Sequence, residues 1–467
     1  MANAQLFQAS LGDAIRGCED IQDRFVQAVD RRVLYTDLLD GSVLYGRGEE
    51  LQGKSVLLAT KDQLTTISAL IELDGLARRI VLCPPDFPLE HFPYVIDAAE
   101  VDGIVSDRAP TQFGKVRSVV FMPCSRSVGP RMSYEGVRRE TEWILLTSGT
   151  TGLPKLVAHT FSSLIAAIQR PSARGAGVIW STFYDIRRYG GLQILLRAAL
   201  TGALLVLSDA DESTADFLAR ANSCGVTHIS GTPSHWRRLL MSPSAHLLDP
   251  VYIRLSGEAV DQAILDNLRS AYPQARIVHA FASTEAGVGF EVNDGNAGFA
   301  ESILTGAPNV EMNVEGSTLR IRSTGCAGCY LGDSAPRLRD QDGFVDTGDV
   351  VELRDSRYYF VGRHDGVINV GGLKVHPEQV EAVISRHPEV QMCLVRARKS
   401  PITGALVVAE VVLRADPSSA ARDVAAIREA ILQFCRDSLP QHKVPALVKI
   451  VPELALSETG KMMRRNA

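Results

Sequence analysis

One run constrains this chain more than any other: residues 144–160, ILLTSGTTGLPKLVAHT. An apolar strand over 143–147 leads into Thr147, Ser148, Gly149, Thr150, Thr151 and Gly152, and then into Pro154 and Lys155. The glycines let the backbone turn its N–H groups toward one point. Four hydroxyls and one ammonium surround that point. Together they make an anion nest suited to a polyphosphate. The pattern GxxxxGK[ST] is absent, so this is not a Walker A loop. A plain Ser/Thr/Gly turn after a buried strand needs neither this density of hydroxyls nor the closing Pro-Lys.

The frame around the loop reads as α/β. Residues 55–60, 79–83, 119–122, 204–207, 226–230 and 276–280 are short apolar runs that predict buried strands. Residues 161–169, 192–200, 214–223 and 261–271 carry the helical period between them. That alternation predicts largely parallel sheets. From 298 to 361 Gly, Pro and Asp punctuate short strands at 318–322, 350–353 and 358–361, which predicts a β-rich subdomain. A compact α+β tail follows Asp365.

A length of 467 residues suggests about three domain-sized units. The net charge of −5 excludes a strongly basic nucleic-acid binder. No apolar run reaches membrane-spanning length; the best stretch, 194–207, is broken by Arg197 and Thr201. The N-terminal residues lack the basic start and apolar core of a secretory leader. Eight cysteines are too sparse for a disulfide scaffold, and a reducing cytoplasm is the expected compartment. Cys326 and Cys329 form a CxxC without a second pair and read as ordinary thiols. From Gly366 onward 14 Lys/Arg face 10 Asp/Glu, against 35 and 44 before it. A basic small unit on an acidic large one suits a phosphorylated ligand between them, and suits a solvated surface nearly as well.

On its motifs the chain resembles the adenylate-forming superfamily of acyl- and aryl-CoA synthetases, peptide-synthetase adenylation domains and luciferases. TSGTTGLPK is similar, almost letter for letter, to that family's phosphate-loop signature. SGEAV (256–260) resembles its adenine-site strand end, FASTEAG (281–287) its YGxTE and VDTGD (345–349) its TGD. GRHDGVINVGGLKVHPEQVE (362–381) resembles its GRxD hinge and following loop, and SETGKMMR (457–464) its catalytic-lysine segment. The resemblance covers nearly the whole chain. It implies an α/β fold with a large N-terminal domain over 1–362, a hinge at 363–366 and a small mobile α+β domain over 367–467.

It also implies roles. Thr147, Ser148, Gly149, Thr150, Thr151, Gly152 and Lys155 would hold the phosphates of ATP, and Gly257, Glu258, Phe281, Ser283 and Thr284 would surround the nucleotide. Glu285 would hold Mg²⁺ against the phosphates, because that ion takes one or two carboxylates plus phosphate oxygens. A helix-start acid is its plainer reading. Asp349 would accept both ribose hydroxyls; otherwise it is a turn-forming Asp. Arg363 offers a planar donor fork to the ribose or a phosphate. Phe281 stands where the family usually has Tyr and would lie flat on adenine; Ala282 replaces the usual Gly. Lys461, with Thr147 and Glu285, completes the expected catalytic set, bridging the substrate carboxylate and the α-phosphate. Asp365 is where the small domain would rotate, and Gly371 and Gly372 would then approach the thiol.

The acyl pocket is expected around Asp185, Arg188, Tyr189, His228, Gly231 and Thr232. Asp185 stands where the family often has His, and Arg187, Arg188 and Tyr189 look inserted. Asp185 either faces a polar substituent or pairs with a neighbouring Arg; His228 and Trp236 equally suit a core. A polar mouth with aromatics nearby favours a small aromatic acid over a long alkyl chain. Arg396, Arg398 and Lys399 would hold coenzyme A phosphates or an acidic carrier protein. The expected activity is an ATP-dependent, AMP-forming acid–thiol ligase acting on coenzyme A. Loading a carrier protein through its phosphopantetheine is one alternative. A catalytically silent adenylate-binding protein is another, opposed by the intact Lys461, Glu285 and phosphate loop.

Overall fold

The strand that leads into the phosphate run spans Glu142–Thr147 and lies inside a seven-stranded sheet. The order is Cys329–Leu331, Lys155–His159, Glu142–Thr147, Arg79–Leu82, Ser55–Leu58, Gly103–Ser106, Val120–Pro123. The last five strands are parallel. Every residue of Ser55–Leu58, Arg79–Leu82 and Gly103–Ser106 is buried, as expected where helices cover both faces. Lys155–His159 returns antiparallel, with Lys155 opposite Thr147. This computed structural model describes residues 10–113, 119–131, 138–147, 152–169, 177–306, 309–333, 335–400, 404–414 and 423–454.

A second, eight-stranded sheet has a parallel centre made of Arg276–Ser283, Tyr252–Ser256, His228–Gly231, Ile179–Thr182, Leu204–Leu207 and Phe25–Gln27. Gly287–Val292 and Arg32–Leu34 close its edges antiparallel. Helix Tyr189–Thr201 packs on Ile179–Thr182 and Leu204–Leu207 and stops at Gly202, whose φ of +82° suits a glycine end cap. Expected from 192, this helix begins three residues earlier. Its glycine pair lowers helix propensity, but Gly191 lies so close to the Asp185 carbonyl that a Cβ would come within 2.2 Å of the oxygen. Packing decides the start there. The strand expected from 226 begins at His228, because Val226 N–H closes the preceding helix onto the Ala221 carbonyl.

Residues 299–363 form the expected β-rich sheet, fully antiparallel, in the order Phe299–Ala300, Arg357–Arg363, Val345–Arg354, Thr318–Ser323, Val310–Glu315. Beyond the short turn His364–Gly366, a last sheet pairs Leu373–Val375, Ile368–Val370, Gly404–Leu413 and Val390–Ser400, with Leu447–Ile450 on Gly404–Leu413. Helices Pro377–Ile384 and Val424–Ser438 pack on it around Ile384, Val395, Ile431 and Val448. Among the described residues no helix is long and apolar enough to cross a membrane.

Candidate active site

The hairpin Glu142–Thr147/Lys155–His159 presents the first group of site residues. Thr147 ends its strand with a buried Oγ1 that has no hydrogen-bond partner among the described residues. Lys155 opens the return strand with its Nζ 5.2 Å from the centroid of the Tyr330 ring. Gly152 takes φ +87° with open space where a Cβ would stand. Ser148, Gly149, Thr150 and Thr151 lie outside the described residues, as does Lys461.

Strand Arg276–Ser283 delivers the second group at its carboxyl end, where ligands of open α/β sheets gather. Ser283 Oγ accepts from Ala286 N at 3.0 Å and closes a tight turn. The Thr284 carbonyl sits 2.7 Å from His159 Nε2. A carbonyl only accepts, so His159 carries its proton on Nε2. Burial pushes this imidazole down to about 4, against the pull of the carbonyl, so it is neutral at ordinary pH. Glu285 Oε1 accepts from the Tyr330 hydroxyl at 3.2 Å. Tyr330 lies on Cys329–Leu331, directly across from Val157. Burial and the Glu285 carboxylate raise its phenol, which stays protonated and donating. The fold thus draws Thr147, Lys155, Thr284 and Glu285 together through two residues that the sequence reading gave no role. His159 sits inside the phosphate run, so a signal was present; Tyr330 directly follows the CxxC and carried none.

Asp349 and Arg363 face each other across paired strands, Nη1 to Oδ1 3.3 Å. Between them Gly348 takes φ +68°, and a Cβ there would stand 3.2 Å from Arg363 Nη2. Gly257, at φ +84°, follows the strand Tyr252–Ser256 and precedes Glu258. The Glu258 carboxylate accepts from Ser234 N at 2.9 Å and Ser234 Oγ at 3.0 Å, capping helix Pro233–Met241. The Phe281 ring lies nearly parallel to Phe360, at 5.2 Å and 7°, and to Phe290, at 5.7 Å and 16°. Side chains alternate along a strand, and a register shift after Phe281 leaves it facing the β-rich sheet.

The residues expected around the acyl group divide. The Asp185 carboxylate is held by Arg187, whose Nε donates to Oδ1 at 2.7 Å and whose side chain is 1% exposed. Arg187 also donates to the Thr60 and Lys61 carbonyls, stitching the two large sheets together. Arg188 is paired with Asp86 at 2.6 Å. Tyr189 is buried with its ring 5.8 Å from His159. Thr232 caps helix Pro233–Met241, accepting from His235 N at 3.0 Å. Gly231 fits where a Cβ would come within 2.7 Å of Phe183. His228 does not join this group. It opens its strand at the amino end, the opposite end from Gly231, and its ring stacks on Tyr252 at 5.3 Å beside Trp180. Trp236 is fully buried in the core. In the last domain Arg396 is paired with Glu410, while Arg398 and Lys399 are exposed. Gly371 and Gly372 form an exposed turn at φ +59° and +88°. Asp365 is described through its backbone, in the turn His364–Gly366. Cys326 is buried and Cys329 exposed, both as free thiols.

A model of AMP-binding enzymes matches residues 80–330, and one of the AMP-binding enzyme C-terminal domain matches 379–461. The chain is similar to a 2-succinylbenzoate–CoA ligase of Bacillus velezensis, at 25% identity over 445 residues, 89% of this chain and 82% of that one. It is 25% identical over 365 residues to a dimodular nonribosomal peptide synthase of Bacillus subtilis, 70% of this chain and 15% of that much longer one. A benzoate CoA ligase from Burkholderia xenovorans LB400 has the same fold, with a TM-score of 0.79 at 18% identity over 97% of this chain and 98% of that one. The first of these models alone spans more than half of the sequence, and the chain belongs to the family of AMP-binding enzymes.

Proposed function

We propose that this protein is an ATP-dependent, AMP-forming ligase that activates a small aromatic carboxylic acid and passes it to coenzyme A. The observation that carries the reading is the convergence on Tyr330 of Lys155, from the phosphate run, and Glu285. Among the described residues neither charge is ion-paired, and the buried Thr147 hydroxyl beside Lys155 is orphaned. An ammonium, a carboxylate and a free hydroxyl at one place fit a polyphosphate with its cation. Glu285 would hold Mg²⁺, which supplies charge neutralisation at the phosphates. Among the described residues no cluster of three His, Cys, Asp or Glu forms a metal cage, which suits an ion that arrives with its phosphates.

In the first step a carboxylate oxygen of the acid attacks the α-phosphorus and pyrophosphate leaves, giving acyl-adenylate. Lys155 and Thr147 hold the phosphates, Asp349 and Arg363 hold the ribose, and Lys461 neutralises charge that builds on the attacked phosphorus. In the second step a thiol sulfur attacks the acyl carbon, its proton passes to solvent, and AMP leaves. Residues 363–366 are read as the hinge, between a domain over 1–362 and one over 367–467, with Asp365 as pivot and the turn Gly371, Gly372 approaching the thiol. The aromatic preference draws on Phe183, Tyr184 and His235, which gather near Gly231, and on the aromatic acids named for the B. velezensis and B. xenovorans proteins. Eight free thiols suit a reducing cytoplasm. Similarity to a peptide synthase keeps one second reading, transfer to the phosphopantetheine of a carrier protein. Pyrophosphate release over a panel of aryl and alkyl acids tests the first step, and thioester yield with coenzyme A against a charged carrier protein tests the acceptor. No release with any acid would refute the reading.

A further inference from the structure

We propose that Tyr330 is a positioning residue that keeps Lys155 and Glu285 apart, so that both charges remain available to the phosphates and cation of ATP. The inference rests on the reading of Lys155 and Glu285 given above and adds a residue to it. Three observations carry it. The Tyr330 hydroxyl donates to Glu285 Oε1 at 3.2 Å. The face of the same ring lies 5.2 Å from Lys155 Nζ. Strand pairing fixes where the ring stands: Tyr330 is opposite Val157, hence diagonal to Lys155 on one face of the sheet, within reach of a long side chain.

The ammonium and the carboxylate touch one and the same side chain. Once in contact with each other they would have to be separated before either could take up a phosphate or a metal ion. The Tyr330 side chain satisfies each in a different way, the ammonium through its π face and the carboxylate through its hydroxyl. Both contacts can be exchanged for ligand. Phenylalanine would keep the spacer and lose the hydroxyl, whereas alanine would lose both.

The test is direct binding to the whole protein, by calorimetry, of MgATP and separately of AMP, which lacks the β- and γ-phosphates. Tyr330→Ala is expected to weaken MgATP about tenfold or more, the scale of one lost hydrogen bond to a charged group, and to leave AMP within about twofold. Tyr330→Phe should fall between wild type and Tyr330→Ala for MgATP; it preserves volume and remains informative if the alanine variant melts early. Equal weakening of MgATP and AMP would make Tyr330 a merely structural residue and overturn the proposal, as would unchanged MgATP affinity in both variants. Lys155→Ala separates the two ideas. If it leaves MgATP affinity unchanged, the phosphate reading of the loop fails; if it weakens MgATP while Tyr330→Ala does not, the spacer alone fails.

Discussion

His159 Nε2 donates to the Thr284 carbonyl across 2.7 Å, tying the far end of the phosphate-run hairpin to the turn that carries Glu285. The two groups come from different sheets. The bond requires a proton on Nε2, which the neutral and the charged ring can both carry, and burial keeps the ring neutral.

That burial sets a pH dependence. The folded imidazole titrates near 4 and the unfolded one near 6.5, so between these values the unfolded chain binds the extra proton. The stability tied to neutral His159 is complete above pH 6.5 and is lost as pH falls toward 4, by about 3 kcal/mol at most. His159→Gln should flatten the pH dependence of urea-unfolding free energy in that window. An unchanged slope would place the titration elsewhere.

Asp185→Ala should destabilise the protein and leave acid preference alone. It strips Arg187, 1% exposed, of its counter-charge, and breaking such a buried pair from one side costs about 3–5 kcal/mol. Unfolding midpoints measure the first effect, and relative rates over the acid panel the second. A changed ranking of acids at wild-type stability would put the carboxylate in the substrate pocket.

Gly362→Ala should loosen the small domain from the large one. Gly362 takes φ +145°, and a Cβ there would lie 2.5 Å from Glu378 Oε2 and 2.8 Å from His376 Nδ1, both at the start of helix Pro377–Ile384. Overpacking of this kind costs about 1–3 kcal/mol. Hydrogen exchange in that helix should quicken while exchange in Ser55–Leu58 holds. Equal protection in both variants would mean the crossing has room to relax.

Lys461→Ala should nearly abolish adenylate formation and spare thioester formation from pre-made acyl-adenylate. Charge on the attacked phosphorus needs the ammonium, whereas thiol attack on the anhydride does not. Isotope exchange between ATP and pyrophosphate reads the first half-reaction. Parallel loss of both halves would assign Lys461 to the shared structure of the site.

Elements that depend on a few neighbouring residues were legible in the sequence. Strand Leu204–Leu207 and helix Thr214–Ser223 fall where the apolar run and the helical period place them, the helix capped by Ser213 through the Asp216 N–H. Strand Glu142–Thr147 likewise falls where the apolar run leading into the phosphate loop places it. Neighbours across sheets were not legible. Phe25–Gln27 lies beside Leu204–Leu207, with Val26 opposite Leu205, and nothing local to either segment encodes that partner. The same holds for Tyr330 under Lys155, for Arg187 reaching two carbonyls of another sheet, and for Phe281 beside Phe360. Period, capping and turn chemistry act within a few residues and can be read from them. Which surfaces meet is settled by the packing of the whole core, where burial is non-directional and each contact depends on all the others.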